Sequence, residues 1–185
     1  MKMRIAGGKY KGRIFNPGKK FSARPTTDLA KEALFNILSN RYNFEGMKVL
    51  DLFSGTGSIG YEFISRGATE VVFVENNPVH IRFIREVIRK LNISNANVYR
   101  DDVYKFIKHC RSKFDIIFLD PPFEMERITD LPFLILNADL LNTDGIMILE
   151  HPRNYDFSKI HNFSEIRKYG KVNFSFFSAG KIDIN

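Results

Sequence analysis

The chain has little sulfur chemistry and no long apolar run. Its single cysteine, Cys110, excludes an intramolecular disulfide and points to a reducing compartment. The histidines, His80, His109, His151 and His161, are scattered, and no Cys/His cluster has metal-ligand spacing, so no metal is expected. No hydrophobic stretch approaches the ~18–20 residues of a membrane span. The first eight residues carry charge but no apolar segment, so no secretory signal is read and a cytoplasmic protein is expected. Neither a repeat nor a disordered tract interrupts the chain, and no heptad pattern demands a dimer, so a monomer is expected.

Acid is missing from one place in particular. Residues 1–24 hold Lys2, Arg4, Lys9, Lys11, Arg13, Lys19, Lys20 and Arg24 with no Asp or Glu, so they carry +8 where the whole chain carries +7. A near-neutral body with a basic arm is the footprint of a polyanion binder. In the arm, apolar residues flank Gly7-Gly8, a hairpin signal rather than a solubilising tail. Arg4, Lys9, Lys11, Arg13, Lys19 and Lys20 are the candidate phosphate contacts of a nucleic acid.

At 185 residues and 44% hydrophobic content the chain is one domain with a sizeable core. Three stretches are read: a basic hairpin arm at 1–24, a helix and linker at 25–46, and the main domain at 47–185. In the second stretch, Leu29, Ala33, Leu34, Ile37 and Leu38 fall at helical spacing, with Thr27 or Asp28 as N-cap. From residue 47 strands and helices alternate. Strands are expected at 47–52, 70–74, 97–100, 114–119 and 145–149, and helices at 58–66, 78–91, 103–110 and 130–141. Segments 165–171 and 172–178 read as an antiparallel pair at the sheet edge. The fold class is therefore α/β and Rossmann-like: a seven-stranded, mostly parallel sheet, an antiparallel C-terminal edge pair, a small N-terminal β-hairpin and a helix. Ligands of such sheets sit at the strand C-termini.

The first of these strand ends runs into Asp51-Leu-Phe-Ser-Gly55-Thr-Gly57-Ser-Ile-Gly60. Gly55, Gly57 and Gly60 match the dinucleotide fingerprint G-x-G-x-x-G, and Glu75, ending the next strand, stands where an acid grips ribose hydroxyls. Asp51 separates the two ligand classes that compete here. A carboxylate at this strand tip would repel a pyrophosphate but suits a ligand with a cationic end. S-adenosylmethionine carries a sulfonium and an ammonium. Asp102 is within reach of an adenine amino group, although Asp101 competes with it and either could cap the next helix. Phe53, Asn76 and Val103 adjoin these positions and complete the candidate donor set.

The fourth strand ends in Asp120-Pro121-Pro122-Phe123. Two prolines fix φ near −65° and remove two N–H groups, and the residue before a proline is pushed out of the α region. The Asp120 carboxylate and the Pro121 carbonyl would then face one spot, where two acceptors suit an amino group with two hydrogens. Phe123 is placed to stack on a flat ring. The corner reads as a site for a base with an exocyclic amine.

In this order, Asp51 to Gly60, Glu75, Asp102 and Asp120 to Phe123 resemble the class I S-adenosylmethionine-dependent methyltransferases, over residues 47–178. Arg4-Ile-Ala-Gly-Gly, Gly12-Arg13, Arg24-Pro-Thr-Thr-Asp28 and Glu32-Ala-Leu-Phe-Asn36 look like the bacterial RsmD-type family. That resemblance implies methylation of N2 of one guanine in 16S ribosomal RNA, within a partly or fully assembled small subunit. It also places Arg24 and Thr26 near the methionine end of the donor or near the target nucleotide. Adenine N6 and a glutamine amide remain open as other amino substrates of the same corner, as does a non-catalytic RNA-binding module. Cytosine C5 chemistry is disfavoured because Cys110 lies in a helical pattern, away from any strand tip.

Overall fold

Runs of β-branched and aromatic residues form strands here because both of their faces can be buried. The computed structural model describes residues 2–18 and 27–180. The contacts expected of Lys19, Lys20, Arg24 and Thr26 lie outside the described residues. A parallel core is built from β3 (Lys48–Leu52), β4 (Glu70–Glu75), β5 (Ala96–Arg100), β6 (Phe114–Leu119) and β7 (Leu141–Pro152). Strands β8 (Phe163–Tyr169) and β9 (Val172–Ser178) complete a seven-stranded sheet of order β5-β4-β3-β6-β7-β9-β8. β9 pairs antiparallel with both β7 and β8, so the expected edge pair is present. The chain winds outward from β3 to β5, then returns to the other side of β3 to begin β6. This reversal opens a crevice at the strand C-termini.

Two hydrophobic clusters cover the two faces of the sheet. On one, α1 (Asp28–Arg41), α2 (Ser58–Ser65) and α3 (Pro78–Lys90) contribute Leu34, Phe35, Phe63 and Ile84 against Val49, Ile116, Phe118 and Ile148. On the other, α4 (Val103–His109) and α5 (Leu131–Asn137) contribute Phe106, Ile107, Leu131 and Ile135 against Leu50, Ile117, Leu119 and Leu149. The strands therefore read as continuous apolar runs, the pattern of a parallel sheet covered on both sides.

Three local expectations change. The buried stripe of α1 is Ala30, Lys31, Leu34, Phe35 and Leu38, while Leu29 is 79% exposed. Lys31 causes the rotation. Its Nζ lies 3.3 Å from Oε1 of the fully buried Glu62, and a buried ion pair fixes which side of the helix turns inward. The helix expected at 130–141 is shorter. A 3₁₀ turn at Ile128–Asp130 leads into α5 with Pro132 in its first turn, and β7 starts at Leu141. A register shift between the pairs Phe114↔Leu141 and Ile116↔Ile146 lets that strand begin before Gly145.

The third change concerns the basic hairpin. Strands β1 (Met3–Arg4) and β2 (Ile14–Phe15) pair antiparallel, but Gly7-Gly8 is not a tight tip. It docks the hairpin on the end of α2. Glu62 accepts the N–H groups of Ala6 and Gly7, and the Ser65 hydroxyl donates to the Gly7 carbonyl and accepts from Tyr10 N–H. Gly8 has φ +72°, and a Cβ there would lie 1.8 Å from the Ser65 carbonyl oxygen, so only glycine permits the approach. Met3 and Ile5 are buried in the core cluster of this face.

Candidate active site

The crevice is a cavity of about 990 Å³ at the C-terminal ends of β3, β4, β6 and β7. At the end of β3 the chain turns through Phe53, at φ 59°, and Gly55, at φ 51°, into Gly57, the N-cap of α2. Ser54 pins the turn: its N–H donates to the Val74 carbonyl at 3.1 Å and its hydroxyl accepts Val74 N–H at 3.0 Å. Gly60 lies in the first turn of α2. A Cβ there would come 2.2 Å from the Phe73 ring and 3.0 Å from Asp51 Oδ2. The glycine thus lets α2 press against β3 and β4, and its N–H donates to Asp51 Oδ2 at 3.1 Å.

Asp51 is 1% exposed, yet it stands on the cavity wall. Burial pushes its carboxyl up to about 8; the Gly60 hydrogen bond opposes the rise and the Glu75 charge adds to it. The same burial, with Asp51 beside it, raises the Tyr61 phenol well above its ordinary value. Glu75 behaves differently. Burial pushes it up as well, but hydrogen bonds from His80, Asn77 and Gly55 outweigh burial and hold it below the ordinary carboxylate range. Gly55 N–H reaches Oε2 and Asn77 N–H reaches Oε1, each at 2.9 Å, and His80 Nδ1 lies 3.5 Å from Oε2. Glu75 therefore clasps the β3–α2 turn to the β4–α3 turn, and it remains ionised.

Asp102 caps α4, its Oδ1 accepting Lys105 N–H at 3.1 Å, while Asp101 accepts the Asp102 N–H at 2.8 Å. Both carboxylates also line the cavity, with Asn76, Val103 and Phe53. Capping and ligand contact are compatible, because a carboxylate has about four lone-pair sites.

Asp120 extends β6, its N–H donating to the Leu52 carbonyl at 3.3 Å. Asp120, Pro121, Pro122 and Phe123 all line the same cavity. Pro121 is buried and Phe123 half-buried, and Phe123 belongs to neither core cluster. Its ring is cavity wall rather than core. The loop beyond is tied to α4: the Tyr104 hydroxyl donates to the Arg127 carbonyl at 3.2 Å, and the Arg127 guanidinium lies 5.2 Å from the Tyr104 ring centre.

Of the expected donor and base positions among the described residues, Asp51, Phe53, Gly55, Glu75, Asn76, Asp102, Val103 and Asp120 to Phe123 meet in one cavity. Gly57 and Gly60 do not line it; Gly57 is the N-cap of α2 and Gly60 packs against Phe73 and Asp51. In the hairpin, Lys9, Lys11 and Arg13 are exposed, whereas Arg4 pairs with Glu32 and lies 3.6 Å from Asp28. Sequence reasoning missed His80, Leu29, Glu150 and the β8–β9 turn at Tyr169, Gly170 and Lys171, all on the cavity wall. Glu150 carries the same signal as Asp51 and Asp120, an acid that closes an apolar run. Among the described residues no cluster of three His, Cys, Asp or Glu could hold a metal ion, and no helix is long and apolar enough to cross a membrane.

The fold is shared with known proteins. The Bacillus subtilis protein YlbH is 35% identical over 159 residues, covering 83% of this chain and 85% of its own. Ribosomal RNA small subunit methyltransferase D of Buchnera aphidicola (subsp. Baizongia pistaciae) is 32% identical over 148 residues, covering 80% of this chain and 75% of its own. A solved structure of a hypothetical protein from Thermus thermophilus superposes with a TM-score of 0.84 at 30% identity, over 95% of this chain and 98% of that one. The sheet is that of the Rossmann-like class I methyltransferases. With the family model described as Conserved hypothetical protein 95 matching residues 3–178, the chain belongs to that family, the RsmD-type methyltransferases.

Proposed function

We propose that the protein transfers a methyl group from S-adenosylmethionine to the exocyclic N2 of a guanine in 16S ribosomal RNA of the small subunit. The observation that carries this reading is one cavity lined at one end by Asp51, Gly55, Glu75 and Asp102 and at the other by Asp120, Pro121 and Phe123. A donor and an amino-bearing base can meet there. The relatives named for small-subunit ribosomal RNA methylation support the choice of polymer.

The residues present fit such a donor. Its bound form would supply an electrophilic methyl on a sulfonium. Asp51 would hold the cationic amino-acid end, Glu75 would accept from the ribose hydroxyls, and Asp102 would accept from the adenine amino group. At the other end, the guanine amine is a poor nucleophile because its lone pair is delocalised into the ring. The Asp120 carboxylate and Pro121 carbonyl would accept its two hydrogens and favour a pyramidal nitrogen with the lone pair aimed at the methyl. As positive charge develops on nitrogen, the same acceptors stabilise it, and they are already in place when the reaction starts. The methylated nitrogen then loses a proton to Asp120 or water. Phe123 would stack on the base after it leaves its helix. Lys9, Lys11 and Arg13 would hold phosphates outside the cavity.

Charge supports the division of labour. Among the described residues, acids dominate the cavity wall, with Asp51, Glu75, Asp101, Asp102, Asp120, Glu124 and Glu150 against Lys171. An acidic well in a basic protein repels phosphate and admits a neutral base and a cation. The test is Asp120→Ala. Transfer is expected to fall by at least about 100-fold, the scale of losing one preorganised group, while donor affinity measured by calorimetry stays unchanged. Loss of donor affinity in parallel with activity would contradict the assigned role.

A further inference from the structure

We propose that Glu150 reads the guanine N1–H, making it the residue that selects guanine over every other amino-bearing base. The inference rests on the reading of the site as a guanine-N2 methyltransferase and adds its specificity element.

Glu150 is 2% exposed, a buried acid on a cavity wall. Its place follows from strand register. In the parallel pair β6–β7, Phe118 faces Ile148 and Leu119 faces Leu149, so Asp120 and Glu150 are the next neighbours outward. Side chains alternate between faces along a strand. Phe118 and Ile148 belong to one core cluster, so Asp120 and Glu150, two residues further on, lie on that same face. Asp51 pairs with Phe118 and shares the face as well. Strands lie about 4.8 Å apart, so carboxylates on adjacent strands can meet adjacent positions along one edge of a base.

That edge tells the bases apart. Guanine presents an N1–H donor beside its N2 amine. Adenine presents an N1 lone pair beside N6, and cytosine an N3 lone pair beside N4. A glutamine amide has no second donor next to its nitrogen. With Asp120 and Pro121 taking the amine hydrogens, a carboxylate at the neighbouring position gains a hydrogen bond from guanine and meets a repelling lone pair on adenine or cytosine. The amine corner alone accepts any of these groups, so selection requires a residue such as Glu150.

The test uses 2-aminopurine, which keeps the N2 amine but carries a lone pair at N1. Small subunits are reconstituted on 16S RNA with guanine or 2-aminopurine at the methylated position. Labelled methyl transfer is followed for the full-length protein, Glu150→Gln and Glu150→Asp, with nucleoside analysis of the product. Wild type is expected to prefer guanine by at least about 100-fold, since sites built to bond a donor reject analogues lacking it. In Glu150→Gln the preference is expected to collapse to within about 10-fold, because an amide can donate to the 2-aminopurine N1 or accept from guanine. Glu150→Asp, which retracts the charge by one methylene, is expected to lie between. A wild type indifferent to the replacement overturns the proposal, with or without folded variants. So does a Glu150→Gln that slows both substrates equally and leaves the preference intact, the result of a purely structural role. No label in guanine with wild type would instead overturn the functional reading beneath it.

Discussion

Asp51 sits where an ionised carboxylate is hardest to keep, and its chemistry should therefore report ligand binding directly. With its carboxyl raised to about 8 by burial, the ligand-free protein holds a proton on Asp51 at neutral pH. A cationic donor end favours the ionised form, so binding should expel that proton. Donor affinity is expected to rise with pH up to about 8 and to level off above it. Calorimetry at pH 7 in buffers of different ionisation enthalpy should give heats that scale with the buffer, and Asp51→Asn should remove that dependence. Identical heats in every buffer for wild type would contradict this account. Folding stability carries the opposite sign. The folded carboxyl is raised from 3.8, so its contribution is full below that value and is lost as pH rises through about 8. Asp51→Asn should gain on wild type in melting temperature across that window. Glu75, held below the ordinary range by His80 and two backbone N–H groups, should show no such effect near neutrality.

At the scale of elements, the junction of β3 with α2 leaves no room for added bulk at Gly60. Gly60→Ala would drive a methyl into the Phe73 ring and towards Asp51. Overpacking of this kind costs about 1–3 kcal/mol, and donor affinity should fall with stability as the Gly60 hydrogen bond to Asp51 is displaced. Thermal melting with and without donor checks this; an unshifted melting temperature would contradict it. The strands and the glycine turn were legible in the sequence because each leaves a local mark: apolar runs such as Phe114–Leu119, acids at their ends, glycines where a helix must press close. The face of α1 was not legible. Its orientation depends on Lys31 meeting Glu62, a pairing of residues far apart in the chain that no periodicity encodes. Gly7-Gly8 carried a hairpin signal, and the glycines are required, but for docking on Ser65 rather than for a tight tip. Asp102 could be read as cap or ligand from its position; in the structure it caps α4 and also lines the cavity. Glu150 carries the same local mark as Asp120, an acid directly after an apolar run, but its place beside Asp120 depends on the pairing of β6 with β7, which no local pattern encodes.

The whole molecule separates its charges: a basic hairpin seated on α2 outside, an acidic well at the strand ends inside. The hairpin is fixed by Glu62, Ser65 and the burial of Met3 and Ile5. Its truncation would expose core, so point substitutions are the sharper probe. Replacing Lys9, Lys11 and Arg13 together by Ala should weaken RNA binding and reduce the slope of log K against log salt by about 2–3, close to one unit for each phosphate no longer neutralised. An unchanged slope would show that RNA is held by another surface. Donor affinity should be untouched, because these side chains are exposed on the hairpin and do not line the cavity. The most direct test of the central claim is transfer of labelled methyl from S-adenosylmethionine into small ribosomal subunits lacking the modification, with nucleoside analysis of the RNA. The account predicts label in N2-methylguanosine of 16S RNA. Label in any other nucleoside, or in protein, would contradict it.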